Sequence, residues 1–370
     1  VAILLVVSLH YTSIHVTADT LERGLGFLSF IPRTGWTGVS LFFVLSSFLL
    51  SRPFWVERAG GRTPALSTFY YRRVIRIVPL FYLAVLVACL WTGEGWAAIR
   101  SMLFLPDYGV LSPFSEVWWS LRTEAQFYLI LGLGIWLLRK PKWRPICFGA
   151  LAFFMVGYLM FLSGSLEPIG WSVGLAPVSV LMSVAHQWPA FAGGILISWL
   201  YVEWGDSWRE SAAQSKWLRH GGGDAVMLSI LFALGFALWS VESVLYIPMI
   251  RMYGAWPLIQ GGLWASFVLA LLVLPLYTRR LFVNAPLEFF GRISYSLYLI
   301  HYPVSRFSLP LRIKMRVWLA DTNATQPELA AVGLLLVFTI AVALSWLSYR
   351  CVEMPFATLK DRFAKSRAAS

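Results

Sequence analysis

Two histidines stand inside apolar surroundings: His10 closes the run Val1 to Leu9, and His301 follows the segment Ile293 to Ile300. A neutral imidazole takes and returns a proton near pH 7, so either residue can act as a general base toward a hydroxyl. A histidine that bonds a neighbour or lies at the membrane interface explains the same positions equally well. Ser294, Tyr295 and Tyr298 recur at helical spacing before His301 and give that segment a polar stripe. Glu124 sits in the segment Trp118 to Glu124. It is either a partner that orients a histidine or a first-turn carboxylate that suits the helix dipole, with Ser120 as the cap. Arg72, Arg73 and Arg76 precede Pro79, and Arg72 and Arg76 are four apart, on one helical face. Two guanidinium forks on one face suit phosphate groups, while basic residues at an inner membrane boundary are also expected from topology alone.

The elements that must position these groups are membrane spans. Of the 370 residues, 58% are hydrophobic and only 13% charged, about half the charge of an ordinary soluble domain. A water-soluble chain could not hide that much apolar surface. The 19 tryptophans suit the boundary between hydrocarbon and headgroups. Runs of about 20 apolar residues, long enough to cross a bilayer core, predict helices at roughly 1–16, 36–54, 73–92, 123–138, 145–162, 177–201, 224–241, 257–277, 289–307 and 328–349. The runs are too long and too little alternating for barrel strands. The predicted fold is an all-α membrane protein, a polytopic bundle of about ten transmembrane helices. The chain opens directly into apolar sequence, so its N-terminus is expected to be truncated within the first span. Residues 1–370 are expected to form a single integral membrane domain, with no fused soluble domain expected after the last span.

Most of the 30 Lys and Arg residues fall on one side of these spans. The inner group includes Arg52, Arg58, Arg72, Arg73, Arg76, Arg139, Lys140, Arg209, Arg279 and Arg350. The positive-inside rule then puts both termini in the cytoplasm, against the trend of the outer loop from Arg306 to Arg316. The net charge of +12 follows from this asymmetry and from anionic lipid, and there is no basic soluble module for nucleic acid. Cys89, Cys147 and Cys351 are odd in number and show no CxxC spacing, which argues against a disulfide framework or a zinc site. Asn323 to Thr325 matches a glycosylation sequon, a pattern common by chance.

Ionisable groups in spans cost at least about 2.5 kcal/mol each at the helix centre, so they mark function. Here the basic cluster is at the inner mouth and the proton-handling groups are toward the outer side. Such polarity suits an enzyme that takes a phosphate-bearing donor from the cytoplasm and acts on an acceptor at the opposite face. An anion transporter could show the same pattern.

Six blocks in order resemble the integral membrane acyltransferase 3 family, which O-acylates surface carbohydrates and other acceptors. They are the apolar run ending in His10; Gly38 to Leu50; Phe69 to Pro79; Trp119, Ser120 and Leu121 followed by Glu124, Phe127 and Tyr128; Gly291 to His301; and Glu353 to Phe356. The resemblance implies a multi-pass protein of a bacterial inner (plasma) membrane. Its implied donor is acyl-CoA, commonly acetyl-CoA, with no bound cofactor and no metal. His10 matches the family's essential histidine, and Arg73 and Arg76 match its arginine pair, with Arg72 an adjacent extra. Glu124 and His301 match further motif positions, and Trp119, Tyr295 and Tyr298 of these blocks are assigned to acceptor contact. Where the family often has Ser-Gly-Phe this chain has Ser46, Ser47 and Phe48, a change that bears on close helix packing.

The expected reaction moves an acyl group from cytoplasmic acyl-CoA to a hydroxyl of a cell-surface or lipid-linked carbohydrate. The phosphates rest on Arg72, Arg73 and Arg76, His10 removes the hydroxyl proton, and Glu124 or His301 fixes its tautomer. Direct transfer is the simpler route; an acyl-enzyme on Ser46 or Ser47 is the alternative. The competing class is a transporter or flippase of a lipid-linked glycan or anion, which calls for inverted repeats or paired broken helices; neither is evident.

Overall fold

The computed structural model describes residues 1–61, 65–106, 109–162, 183–243, 256–310, 313–314 and 326–358. The start of the sixth predicted span (177–182), Arg312 and Arg316 of the outer loop and the sequon at Asn323 lie outside these residues.

Lipid offers no partner for a backbone N–H or C=O, so a spanning segment must satisfy its own, and long apolar runs become helices. The main helices are α1 (Ala2–His15), α2 (Thr37–Arg58), α3 (Leu66–Thr92), α4 (Trp119–Leu138), α5 (Arg144–Leu162), α6 (Val184–Gln214), α7 (Gly223–Ser243), α8 (Trp256–Val273), α9 (Ser294–Phe307) and α10 (Gln326–Ser348). Each overlaps one of the segments read as spans, and no strand occurs among the described residues. Among the described residues five helical stretches are long and apolar enough to cross a membrane: Asp19–Arg58, Leu66–Thr92, Leu218–Val241, Trp256–Val273 and Ala330–Thr358. On these and neighbouring helices large apolar side chains face outward. Leu90, Phe153 and Phe232 are each at least 75% exposed, an arrangement that only lipid makes favourable. This is a membrane protein.

The chain divides into two compact units. Unit 1 comprises Val1–Val39, Tyr71–Leu121 and Val283–Ser370; unit 2 comprises Ser40–Tyr70 and Arg122–Phe282.

In unit 1, α1, α9 and α10 pack around Ile3, Val7, Tyr11, Leu297, Val337 and Ala341. The start of α2 lies close against α1: a Cβ on Gly38 would stand 2.4 Å from the Ala2 carbonyl oxygen, so only glycine fits. Phe81 of α3 stacks on Phe104 at 5.1 Å and meets Trp118 edge-on at 5.1 Å. Glu353, in the closing block, accepts from the Ser296 backbone N–H at 3.1 Å and from the Ser296 hydroxyl. A carboxylate there satisfies a free N–H in the first turn of α9 and suits the positive end of its dipole.

In unit 2 the core is aromatic. Phe191 of α6 stacks on Phe43 of α2 at 4.5 Å and on Phe127 of α4 at 4.2 Å. The close approach of α2 and α6 uses Gly194, whose Cβ would fall 1.9 Å from the Ser47 hydroxyl oxygen. Ser47 thus stands opposite a glycine, and the small residue needed for contact comes from α6. Arg139 closes a two-pronged ion pair on Glu57 at 2.7 and 3.2 Å, tying the end of α4 to the end of α2. Pro189 lies within continuous helix α6, and Gly132 and Gly134 lie within continuous α4.

Candidate active site

The predicted histidines meet. α1 carries His10 and α9 carries His301, and apolar packing of the two helices brings the ring centroids to 5.3 Å, tilted by 41°. Tyr302 stands edge-on to His10 at 5.0 Å. His301 is fully buried, with 0% exposure. Its Nδ1 lies 2.9 Å from the Leu297 carbonyl oxygen, one turn earlier on its own helix. A carbonyl only accepts, so Nδ1 carries the proton, and in the neutral ring Nε2 keeps its lone pair. That Nε2 is buried and has no hydrogen-bond partner among the described residues. The tautomer of His301 is therefore set by backbone, and the unshared nitrogen is the basic one.

The polar stripe before His301 stitches unit 1 together. Tyr295 donates its hydroxyl proton to the Ile77 carbonyl at 2.8 Å. Tyr298, whose ring is 6.0 Å from His301, donates to the Val117 carbonyl and shares a 2.6 Å hydrogen bond with the Ser120 hydroxyl. Ser120 is thus not the helix cap: α4 begins at Trp119, and the Ser120 hydroxyl turns to Tyr298. Trp119 itself is half-buried at the start of α4.

Arg72 and Arg76 are exposed and Arg73 is half-buried, near the start of α3. The Arg76 guanidinium acts electrostatically on the Glu353 carboxyl. The bond from Tyr295 to Ile77 ties the arginine end of α3 to the N-terminal end of α9. His301 lies six residues beyond Tyr295, or about 9 Å along the axis at 1.5 Å per residue. Unit 1 therefore holds a basic end and an imidazole pair at two levels of one helix.

Glu124 belongs to unit 2. It is buried, accepts from the Ser46 hydroxyl at 2.6 Å and bonds the Tyr128 hydroxyl. Ser47 gives its hydroxyl proton to the Phe43 carbonyl at 2.8 Å in its own helix. Among the described residues no group of three His, Cys, Asp or Glu gathers as metal ligands, and the three cysteines are free.

Sequence reading missed His15, Tyr11, Tyr302 and Ser305, which share the α1 and α9 interface with His10 and His301. The His15 Nε2 lies 2.8 Å from the Ser305 hydroxyl. Their signal was weak but present. His15 follows Tyr11 by four residues and Ser305 follows His301 by four, the spacing of one helical face.

Over 349 residues the chain is 23% identical to the peptidoglycan O-acetyltransferase OatA of Listeria monocytogenes, covering 87% of this chain and 51% of that protein. It is 24% identical over 353 residues to the O-acetyltransferase OatA of Staphylococcus aureus, covering 87% of this chain and 52% of that one. The chain thus spans about half the length of the curated relatives it matches. No solved structure matches it. The acyltransferase domain model of the acyltransferase 3 family matches residues 1–350, through both units and every block read above up to Tyr349, and the chain belongs to that family.

Proposed function

We propose that the protein is a membrane O-acyltransferase that moves an acyl group, acetyl in the simplest case, from cytoplasmic acyl-CoA to a hydroxyl of a cell-surface or lipid-linked carbohydrate. The approach of His10 to His301 at 5.3 Å carries this reading, because two imidazoles in an apolar interior are costly unless they handle protons. Family membership and the names of the relatives support the same chemistry. The peptidoglycan named for the Listeria relative is one acceptor of the expected class.

In this reading the chain crosses an inner membrane about ten times, with both termini in the cytoplasm. Arg72, Arg73 and Arg76 hold the phosphates of the donor. The thioester reaches the imidazole pair. His10 takes the proton of the acceptor hydroxyl, and the imidazole pair supplies the proton that the leaving sulfur needs. Glu124 is a further catalytic candidate, held by Ser46 and Tyr128 within its own unit, and Trp119, Tyr295 and Tyr298 belong to the walls on the acceptor side.

The test is release of free thiol from acetyl-CoA by purified protein in lipid nanodiscs. Continued release over many turnovers that requires a carbohydrate acceptor and is lost in His10→Ala is the expected result. Release unchanged in His10→Ala, or glycan movement with no thiol released, overturns the reading.

A further inference from the structure

We propose that Ser305 carries the acyl group as a transient ester, with His15 as its base; this deepens the acyltransferase reading and rests on it. Buried serines in helices usually give their hydroxyl proton to the carbonyl one turn back, as Ser47, Ser51 and Ser345 do here. Ser305 does not. Its hydroxyl lies 2.8 Å from the His15 Nε2 on another helix, and the two residues are 0% and 3% exposed. A hydroxyl within hydrogen-bond reach of an imidazole is the arrangement that activates a serine nucleophile.

The place of the pair fits a carrier. Ser305 is four residues beyond His301 on α9, about 6 Å further from the arginine end. Between the two levels stands Tyr11, its ring 6.5 Å from His301 and 6.1 Å from His15. The Tyr11 hydroxyl and the His301 Nε2 are both buried without a hydrogen-bond partner among the described residues. Buried polar atoms of this kind call for a polar partner, and a thioester carbonyl and an incoming hydroxyl supply one.

The reaction then runs in two steps. The Ser305 oxygen attacks the thioester carbonyl while its proton passes to His15. The carbon–sulfur bond breaks, and the proton moves through the Tyr11 hydroxyl and the His10–His301 pair to the sulfur, which leaves as the free thiol. In the second step the acceptor hydroxyl gives its proton to His10 and attacks the ester carbonyl, and the proton passes back through His301 and the Tyr11 hydroxyl to His15. The bond from carbon to the Ser305 oxygen breaks, and Ser305 recovers a proton from His15. Donor and acceptor never meet, so each is met from its own side.

The experiment uses the full chain in nanodiscs with isotope-labelled acetyl-CoA and no acceptor, quenched and digested for mass spectrometry. One acetyl group on the peptide holding Ser305 is expected. Ser305→Ala should carry no label and lose transfer to acceptor by at least about 100-fold. Ser305→Cys, which keeps a nucleophile, should regain label as a thioester; a merely structural hydrogen bond predicts no such rescue. Label on a different side chain, or transfer by Ser305→Ala at the wild-type rate, overturns the carrier. If the wild-type protein releases no thiol even with acceptor, the acyltransferase reading itself fails.

Discussion

Replacing Gly194 by alanine adds one methyl group at the contact of α2 and α6. The new Cβ would lie 1.9 Å from the Ser47 hydroxyl oxygen, 2.2 Å from the Val44 carbonyl oxygen and 2.9 Å from the Phe48 nitrogen. Ordinary contact begins near 3.5 Å, so the helices must part by about 1 Å or more. Ser47 can rotate away, but the Val44 carbonyl is backbone and cannot. Overpacking of a core costs about 1–3 kcal/mol. Parting the helices also loosens the Phe43–Phe191 stack at 4.5 Å, worth about 0.5–1.5 kcal/mol. The expected loss is roughly 2–4 kcal/mol, read by chemical denaturation in detergent. Adding Ser47→Gly should recover less than half, because the backbone clash persists. Gly235→Ala, whose Cβ meets nothing within 4 Å, is the control and should gain up to about 1 kcal/mol from helix propensity. A Gly194→Ala protein within about 0.5 kcal/mol of wild type, or one fully rescued by Ser47→Gly, would refute the packing argument.

Other substitutions separate roles that share one interface. His301→Ala should lower kcat by about 10² to 10⁴ with donor KM unchanged in steady-state thiol release; a rise in KM alone would make it a donor contact. Arg73→Ala with Arg76→Ala should raise donor KM by at least about tenfold with kcat preserved, measured by varying acetyl-CoA, and an unchanged KM would remove the arginines from donor binding. Tyr298→Phe should cost about 1 kcal/mol of stability, because its hydroxyl serves Val117 and Ser120, and should raise acceptor KM; an unchanged acceptor KM would remove Tyr298 from the acceptor wall. Glu353→Ala should destabilise by about 1–2 kcal/mol in the same denaturation assay, since the Ser296 N–H and hydroxyl lose their acceptor. An unchanged midpoint would show that water replaces the carboxylate.

The sequence by itself determined the helices and their lipid surroundings, because hydropathy acts over one span at a time. The run Leu329 to Tyr349 predicts α10 without reference to any other residue. It also singled out His10, His301 and Arg76, since charge and imidazole are expensive in hydrocarbon wherever they fall. Partnership was a different matter. His10 and His301 are joined only by the packing of α1 on α9, and nothing local to either run states which helices will be neighbours. For the same reason nothing local to its own segment set Ser305 apart; α1 places His15 against it. Ser120 looked like a cap until α9 brought Tyr298 to its hydroxyl. Side-chain hydrogen bonds between helices depend on rotation and register to within about an ångström, and those are decided by tertiary contact.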